Sequence, residues 1–298
     1  MIQPLVSIVI LCWNRKEDVR EGLQRIKNQT YSNVEVIVVD NASNDGTQEM
    51  IEFDFPEVKL IRMFKNVGIK AYNIGFENAK GDYIVILDDD SFPKEDALEK
   101  MVQKFEADPK LGVVAFDVRN YLHYDEVKQT EEQSTLETRA EAQNYVLAFN
   151  GAGAGVRKSV LKKVGYYPEE FFLYWNEPDT AFRILNAGYS IRFFSDVISY
   201  HKYSPKNRSS WRAPYYYTRN MFWLIWKNYP IDMAIFLSLK SIYNCFYYSM
   251  EQKTTIYVKA LWDAFLGIDR LKGKRKAVDR EIAQKLRLPF YVSFTFYR

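Results

Sequence analysis

Tyr83-Ile84-Val85-Ile86-Leu87-Asp88-Asp89-Asp90 is an apolar run that stops abruptly in three acids. Five apolar residues in succession, β-branched at Ile84, Val85 and Ile86, read as a strand buried on both faces, with the acids emerging at its carboxyl end. That end is where open α/β sheets bind ligands. Side chains alternate along extended chain, so Asp88 and Asp90 face one cleft together while Asp89 points elsewhere. Two carboxylates side by side repel unless a cation lies between them, and charge at a strand end is cheap only if solvated or paired. The plainer alternative is a polar loop that opens a helix, with Ser91 or an aspartate capping the first turn before Pro93.

The alternation of buried run and helix repeats on both sides of this stretch. Toward the amino terminus lie apolar runs at Val6–Cys12, 34–39 and 58–63, separated by helical patterns through Gly22, Leu23 and Ile26 and from Asn44-Asp45-Gly46-Thr47 onward. A glycine-bearing helical stretch at 66–80 leads into the acid-tipped strand, and beyond it come a helix over 94–107 and a strand over 112–118. Strands alternating with short crossovers predict a doubly wound, mainly parallel α/β sheet. Successive strands then lie side by side, and every loop after a strand opens on one edge. The stretch 125–143 is polar, acidic and without apolar period, a solvated loop or exposed helix.

The formal net charge of +3 hides a split: residues 1–204 carry 24 Lys and Arg against 32 Asp and Glu, whereas 205–298 carry 17 against 6, a net of +11. Aromatics follow the same division, with 21 of 48 in those last 94 residues. A boundary near Pro205 therefore separates an α/β domain, 1–204, from a helical, aromatic and basic extension, 205–298. The two cysteines, Cys12 and Cys245, have no metal or disulfide spacing, which fits a reducing compartment. No basic-plus-apolar leader precedes the first strand, and no apolar run approaches the ~18 residues of a membrane span, so the chain reads as cytoplasmic.

A second constellation is Tyr174-Trp175-Asn176-Glu177-Pro178-Asp179-Thr180-Ala181-Phe182-Arg183. Pro178 suits the first position of a helix and would hold Glu177 extended at its mouth, free to reach into a cleft. Asp179 and Arg183, four apart, can pair and brace that helix. Glu177 and Asp179 could instead merely satisfy the positive helix end. Tyr174 and Trp175 offer a flat aromatic surface of the kind on which sugars stack. Gly151, Gly153 and Gly155 do not form a phosphate loop of the Lys-Ser/Thr type. Either they let backbone approach a bound sugar, with Gly153 on the acceptor side, or they mark a bend in a strand. Of the two histidines, His123 falls in the polar region and His201 at a strand end.

Taken together, these motifs resemble the inverting glycosyltransferases of family 2 with the GT-A fold, especially bacterial rhamnosyltransferase-like members. The resemblance runs from Val6 to about Ser204. Asn14-Arg15 is similar to the family's first nucleotide loop, and Val38-Val39-Asp40-Asn41-Ala42-Ser43 to the second, whose aspartate holds the base. Asn66-Val67-Gly68 with Asn73-Ile74-Gly75 and Ala79-Lys80-Gly81-Asp82 resembles the segment before the metal motif. Asp88-Asp89-Asp90 looks like the acid-any-acid (DXD) motif. The resemblance implies a donor site of Asn14, Arg15, Asp40, Asn66, Gly68, Asn73, Asp88 and Asp89. It implies Mn2+ or Mg2+ on Asp90 with Asp88, and His201 near the metal. Glu177 takes the place of the general base, supported by Asp179 and Arg183, with Trp175, Tyr174 and Gly153 toward the acceptor. No Gln-x-x-Arg-Trp motif occurs, which sets the chain apart from processive synthases of the same family.

The implied reaction is a single displacement: Glu177, ionised at neutral pH, takes the proton of an acceptor hydroxyl attacking the anomeric carbon of a nucleoside-diphosphate sugar. Asp40 as hydrogen-bond acceptor favours uracil or thymine, hence UDP or dTDP. The acceptor would be a glycan or a lipid-linked saccharide of a cell-surface polysaccharide. In the extension, 215–227 and 234–250 are apolar around most of a helix and are followed by Lys272-Gly273-Lys274-Arg275-Lys276. That pattern fits an anionic membrane surface on the cytoplasmic side, or a helical cap or homodimer interface. No stacking or groove-reading motif points to nucleic acid. The rival class is a sugar-nucleotide-binding protein or nucleotidyltransferase. The latter usually needs a glycine-and-basic phosphate loop after its first strand, and Cys12-Trp13-Asn14-Arg15-Lys16-Glu17 has no glycine.

Overall fold

In a computed structural model of the chain, residues 3–121, 149–202, 211–285, 288, 290–294 and 296 are described. The polar stretch 125–143, His123 and the boundary at Pro205 lie outside them. Among the described residues eight strands form one sheet: β1 Val6–Cys12, β2 Val34–Asp40, β3 Lys59–Arg62, β4 Tyr83–Asp88, β5 Ser91–Pro93, β6 Leu111–Asn120, β7 Ala154–Arg157 and β8 Ser190–His201. Their order is β3-β2-β1-β4-β7-β6-β8-β5.

β4 is the acid-tipped run of the sequence. Its residues alternate between two hydrophobic clusters, Ile84 and Ile86 in one, Tyr83, Val85 and Leu87 in the other. A strand buried on both faces can be continuously apolar because neither face meets water. One face is covered by helices α1 Lys16–Ile26, α2 Thr47–Asp54 and α4 Ala97–Ala107 through Val19, Leu23, Ile51, Met101 and Phe105. The other is covered by α3 Ala71–Asn78, α5 Lys158–Val164 and α6 Asn176–Asn186 through Phe76, Val160, Leu161 and Phe182.

Successive strands do not all lie side by side. β1, β2 and β3 do, in parallel, but β4 crosses to the other side of β1, and β7 then inserts antiparallel between β4 and β6. The three-residue β5 is where the plainer alternative had put a helix cap: Ser91 pairs with His201 and Phe92 with Tyr200 in an antiparallel bridge. That pairing sets the last acid of the run beside the end of β8. The sheet is thus mixed, mainly parallel and flanked by helices, as expected.

The extension folds into α7 Arg212–Asn228, α8 Ile231–Glu251 and α9 Ile256–Leu266, followed by short helical turns. Met221 to Ile225 of α7 are buried in the same cluster as Phe171 and Phe182 of the sheet domain. Buried Lys227 reaches Asp179 at 2.9 Å and Glu170 at 2.7 Å. Among the described residues no helix is long and apolar enough to cross a membrane.

Candidate active site

The loops after β1 and β2 are tied to one another before anything binds. Asn14 takes a left-handed φ of 55°, its N–H donates to Ser43 Oγ at 2.8 Å, and its Oδ1 accepts from Asn44 N at 2.7 Å. Asp40 departs from its expected role. It has no exposed surface, and its carboxylate accepts from Ser43 N–H, Gln48 Nε2 and Cys12 Sγ. It holds its own loop together and presents no acceptor to a base. Asn66 Oδ1 accepts from Asn41 and from Gly68 N–H, while Asn73 exchanges two hydrogen bonds with the backbone of Tyr167. Gly68 has φ +66°, and a β-carbon there would meet Phe172 O at 2.1 Å, so the turn requires glycine. These three hold the floor of the site together.

β4 ends at Asp88, and Asp89 and Asp90 follow in a turn, so their directions come from that turn and from Arg15, whose Nη1 meets both, and not from strand alternation. Asp89 accepts from Trp13 N–H at 3.2 Å and pairs with Arg15 at 2.9 Å. Asp88 and Asp90 join His201, with one potential ligand atom from each, all within 4.8 Å of one another. His201 Nε2 stands 3.0 Å from Asp90 Oδ1, and Arg15 Nη1 stands 2.7 Å from Asp90 Oδ2. Tyr72 OH, 3.1 Å from Asp88 Oδ1, supports the first acid from α3. Two carboxylates and one imidazole on so small a radius fit one divalent cation with positions left for phosphate oxygens and water. Burial pushes Asp89 up to about 7 against the pull of Arg15, with Asp90 and Asp88 adding to the rise. Burial raises Asp88 as well, against the pull of His201. Crowded acids of this kind gain from a counter-cation.

Across the cleft stands Glu177, in a helix that begins earlier than the sequence indicated. α6 starts at Asn176, so Pro178 occupies its third position and Glu177 is already helical. Glu177 is aimed by the preceding turn: Tyr174 and Trp175 both adopt left-handed φ, 65° and 66°. Non-glycine residues there cost ~1–3 kcal/mol each and persist only where the surroundings hold them. Asn220 of α7 does so, donating to Leu173 O and Tyr174 O, and is itself gripped by Arg219 at 2.8 Å. The surroundings of Glu177 disfavour the ionised form expected of it at neutral pH. Burial pushes it up to about 8 against its own helix-start N–H, Asp88 adds to the rise, and Asn176, 2.8 Å from Oε1, pulls back.

Asp179 and Arg183 pair at 3.1 Å, and Arg183 also donates to the carbonyls of Val164 and Tyr166. Burial would raise Asp179, but Lys227 and Arg183 outweigh it and hold the carboxyl below its usual range. Trp175 is not a stacking platform: it is 6% exposed, its Nε1 donates to Tyr217 O, and its ring packs on Tyr217 and Phe290. Tyr174 is stacked on Tyr217 at 4.2 Å. Gly153 also faces away from the acids, because a β-carbon on it would strike Ser199 at 2.6 Å. The glycine of the site is Gly151, whose β-carbon would lie 2.7 Å from Glu177 Oε1 and 3.6 Å from Asp88 Oδ1. Gly151 and Asn176 stood inside quoted motifs but carried no distinguishing signal. Tyr72 lies outside them, and Asn220 stood in the stretch 215–227 with no signal of its own.

Acids able to hold a cation thus stand at the carboxyl end of β4, with the carboxylate of Glu177 opposite, on a mixed, mainly parallel sheet of the GT-A type. The family model for "Glycosyl transferase family 2" matches residues 7–165, and the chain belongs to that family. It is 30% identical over 220 residues to the glycosyltransferase AglE of Haloferax volcanii, covering 68% of each chain. It is 30% identical over 172 residues to a poly-beta-1,6-N-acetyl-D-glucosamine synthase of Staphylococcus epidermidis, covering 54% of this chain and 42% of that one. The chain thus spans less than half the length of that synthase. Among solved structures, the mannosyltransferase PcManGT of Pyrobaculum calidifontis, in complex with GDP-Man and Mn2+, superposes with a TM-score of 0.60 at 20% identity. That match covers 100% of this chain and 85% of that one. S. aureus TarS 1-349 with UDP-GlcNAc gives a TM-score of 0.58 at 18% identity, covering 74% and 66%.

Proposed function

We propose that the protein is a non-processive, inverting transferase. It moves one sugar from a nucleoside-diphosphate sugar to a hydroxyl of a glycan or lipid-linked saccharide in the synthesis of a surface polysaccharide. The observation that carries this reading is the opposition of Glu177 to Asp88 across Gly151, with Asp90 and His201 beside the first acid. A divalent cation, Mn2+ or Mg2+, held by Asp88, Asp90 and His201 would neutralise charge on the departing diphosphate. Arg15 lies within reach of the same region as a fixed positive charge. The side-chain-free Gly151 leaves room for the acceptor hydroxyl beside Glu177, which takes its proton as the hydroxyl attacks. One displacement from the opposite face inverts the anomeric centre.

With Asp40 turned inward, the preference for UDP or dTDP loses its basis, and the neighbouring folds named above hold GDP-Man or UDP-GlcNAc. The extension is assigned to the acceptor side, peripheral on the cytoplasmic face of the membrane, with a homodimer through its helices as the competing arrangement. The test is a screen of UDP-, dTDP- and GDP-sugars for release of nucleoside diphosphate with and without Mn2+ or Mg2+. Metal-dependent release with one donor, abolished in Asp90→Ala, is expected. Metal-dependent binding without turnover in the presence of acceptor extracts would instead make the chain a binding protein. Release of pyrophosphate from a nucleoside triphosphate and a sugar 1-phosphate, supplied in a parallel assay, would make it a nucleotidyltransferase.

A further inference from the structure

α8 is built inside out. The side it turns to the rest of the protein carries small residues, Ala234, Ser238, Ser241 and Cys245, all buried. The side it turns outward carries Ile235, Phe236, Leu239, Tyr243, Phe246 and Met250, with Phe236 and Tyr243 each 67% and Met250 81% exposed. Both stripes recur every three to four residues, so they are two faces of one helix and not a scatter of surface apolars. α9 repeats the outward half of the pattern with Trp262, Phe265 and Leu266, while its inward side carries Tyr257 along with Ala260 and Ala264. A helix on a water-facing surface has the reverse arrangement. Small residues at the helix–helix contact and large apolar residues outside are what a helix shows when its surroundings are lipid.

We propose that the outer face of α8 and α9 lies on an anionic bilayer, at the boundary between headgroups and acyl chains. This deepens the lipid-linked-acceptor side of the reading above and rests on it. The helices are not apolar enough to span, which leaves a position in the plane of the interface. The charges agree with an anionic surface. Lys240 is the only charged residue of α8 between Asp232 and Glu251, and Lys253 and Lys259 are exposed nearby in sequence. The basic run Lys272 to Lys276 is fastened beside the first turn of α8: Arg275 donates to Tyr229 O, and Arg280 pairs with Asp232 at 2.6 Å. A second copy seated on this face would bring two basic rims together, whereas anionic headgroups would meet them with opposite charge. α8 packs on α7, whose Asn220 holds the turn before Glu177, so the bilayer plane would border the element that aims the base.

The experiment is sedimentation of the full chain with vesicles of phosphatidylcholine, alone or with roughly a third phosphatidylglycerol, at low salt. Donor binding is measured in parallel by calorimetry with a nucleoside-diphosphate sugar and Mn2+. The wild-type chain should pellet with the anionic vesicles at least about tenfold better than with the neutral ones. The paired surface substitution Phe236→Glu with Leu239→Glu should lose that binding by a similar factor while keeping its circular-dichroism melt and its donor affinity. A wild-type chain that stays in the supernatant overturns the proposal, as does a variant that pellets unchanged. A concentration-dependent dimer abolished by the same substitutions would assign the face to a second copy. Loss of donor binding with vesicle binding intact would instead remove the transferase reading and leave the bilayer face standing.

Discussion

Arg15 Nη1 sits 2.7 Å from Asp90 Oδ2, on the carboxylate whose other oxygen is met by His201. A protein cation therefore already occupies one side of an acid in the group that could hold a metal. Removing it should leave three acids with less positive charge among them and raise their affinity for a divalent ion. We expect Arg15→Gln to bind Mn2+ about tenfold more tightly in the absence of donor, by calorimetry or by electron paramagnetic resonance of free Mn2+. The same variant should bind the donor more weakly. Weaker Mn2+ binding in Arg15→Gln would mean that the arginine organises the site and does not compete with the cation.

Gly151 has no positive φ, so alanine suits its backbone, yet the added methyl would lie 2.7 Å from Glu177 Oε1. The contact is with the end of a flexible side chain, so the carboxylate should swing aside at little cost in stability. Gly151→Ala should retain a melting temperature within about 2 °C of wild type while transfer falls by about 100-fold, since small misplacements of a catalytic group are expensive. Near-wild-type turnover would show that the gap between the two carboxylates is not where the acceptor sits.

Glu177, pushed up to about 8 by burial, must lose a proton before it can take one. Transfer should rise with pH and level off above about 8, and Glu177→Gln should lower it by about 10²–10⁴-fold without that rise. Stability should change in the opposite sense. A carboxyl whose folded pKa exceeds its unfolded value favours the fold while protonated, and that contribution drains away as pH climbs from about 4 toward 8. Glu177→Gln should therefore melt higher than wild type at alkaline pH and near it at pH about 5. A flat rate profile, or an unshifted alkaline melt, would contradict the assignment.

Lys227, buried, joins buried Asp179 and half-buried Glu170 from α7 to the sheet domain. Lys227→Met should cost about 1–3 kcal/mol in denaturant unfolding, because Asp179 keeps only Arg183 and Asn228 as partners and Glu170 only Lys274. In the wild type both acids are held below their usual range, so their stabilisation is full above the unfolded carboxylate pKa and is lost as pH falls through the folded one. The variant should lose less on acidification. A cost under about 0.5 kcal/mol would place this ion pair with surface bridges.

The acid-tipped strand was legible because continuous burial leaves one sign in sequence, an unbroken apolar run; the grouping of Asp88 and Asp90 with His201 was not, since strand alternation stops at Asp88 and a turn places the last two acids. The pairing of Asp179 with Arg183 followed from helix spacing alone. What could not be read depended on contacts distant in sequence. β7 inserts between β4 and β6 through pairings with strands far from it along the chain. Gly151 and Gly153 are indistinguishable until Glu177 and Ser199 are placed against them. The start of α6 was misread because Pro178 is equally compatible with the third helical position, and the strained turn at Tyr174 and Trp175 is imposed from α7. Trp175 illustrates the same limit: its composition suits sugar stacking, but its burial against Tyr217 and Phe290 is a tertiary fact.

The grip of Asn220 on the carbonyls of Leu173 and Tyr174 bears on how this chain could be re-engineered. A chimera that exchanged the extension for one from another transferase, to redirect acceptor choice, would also remove the clasp that sets the angle of the proton acceptor. Such a swap would have to carry Arg219, Asn220 and Lys227 with it. On the proposed function, acceptor range and the alignment of Glu177 would therefore be inherited together, not as interchangeable modules.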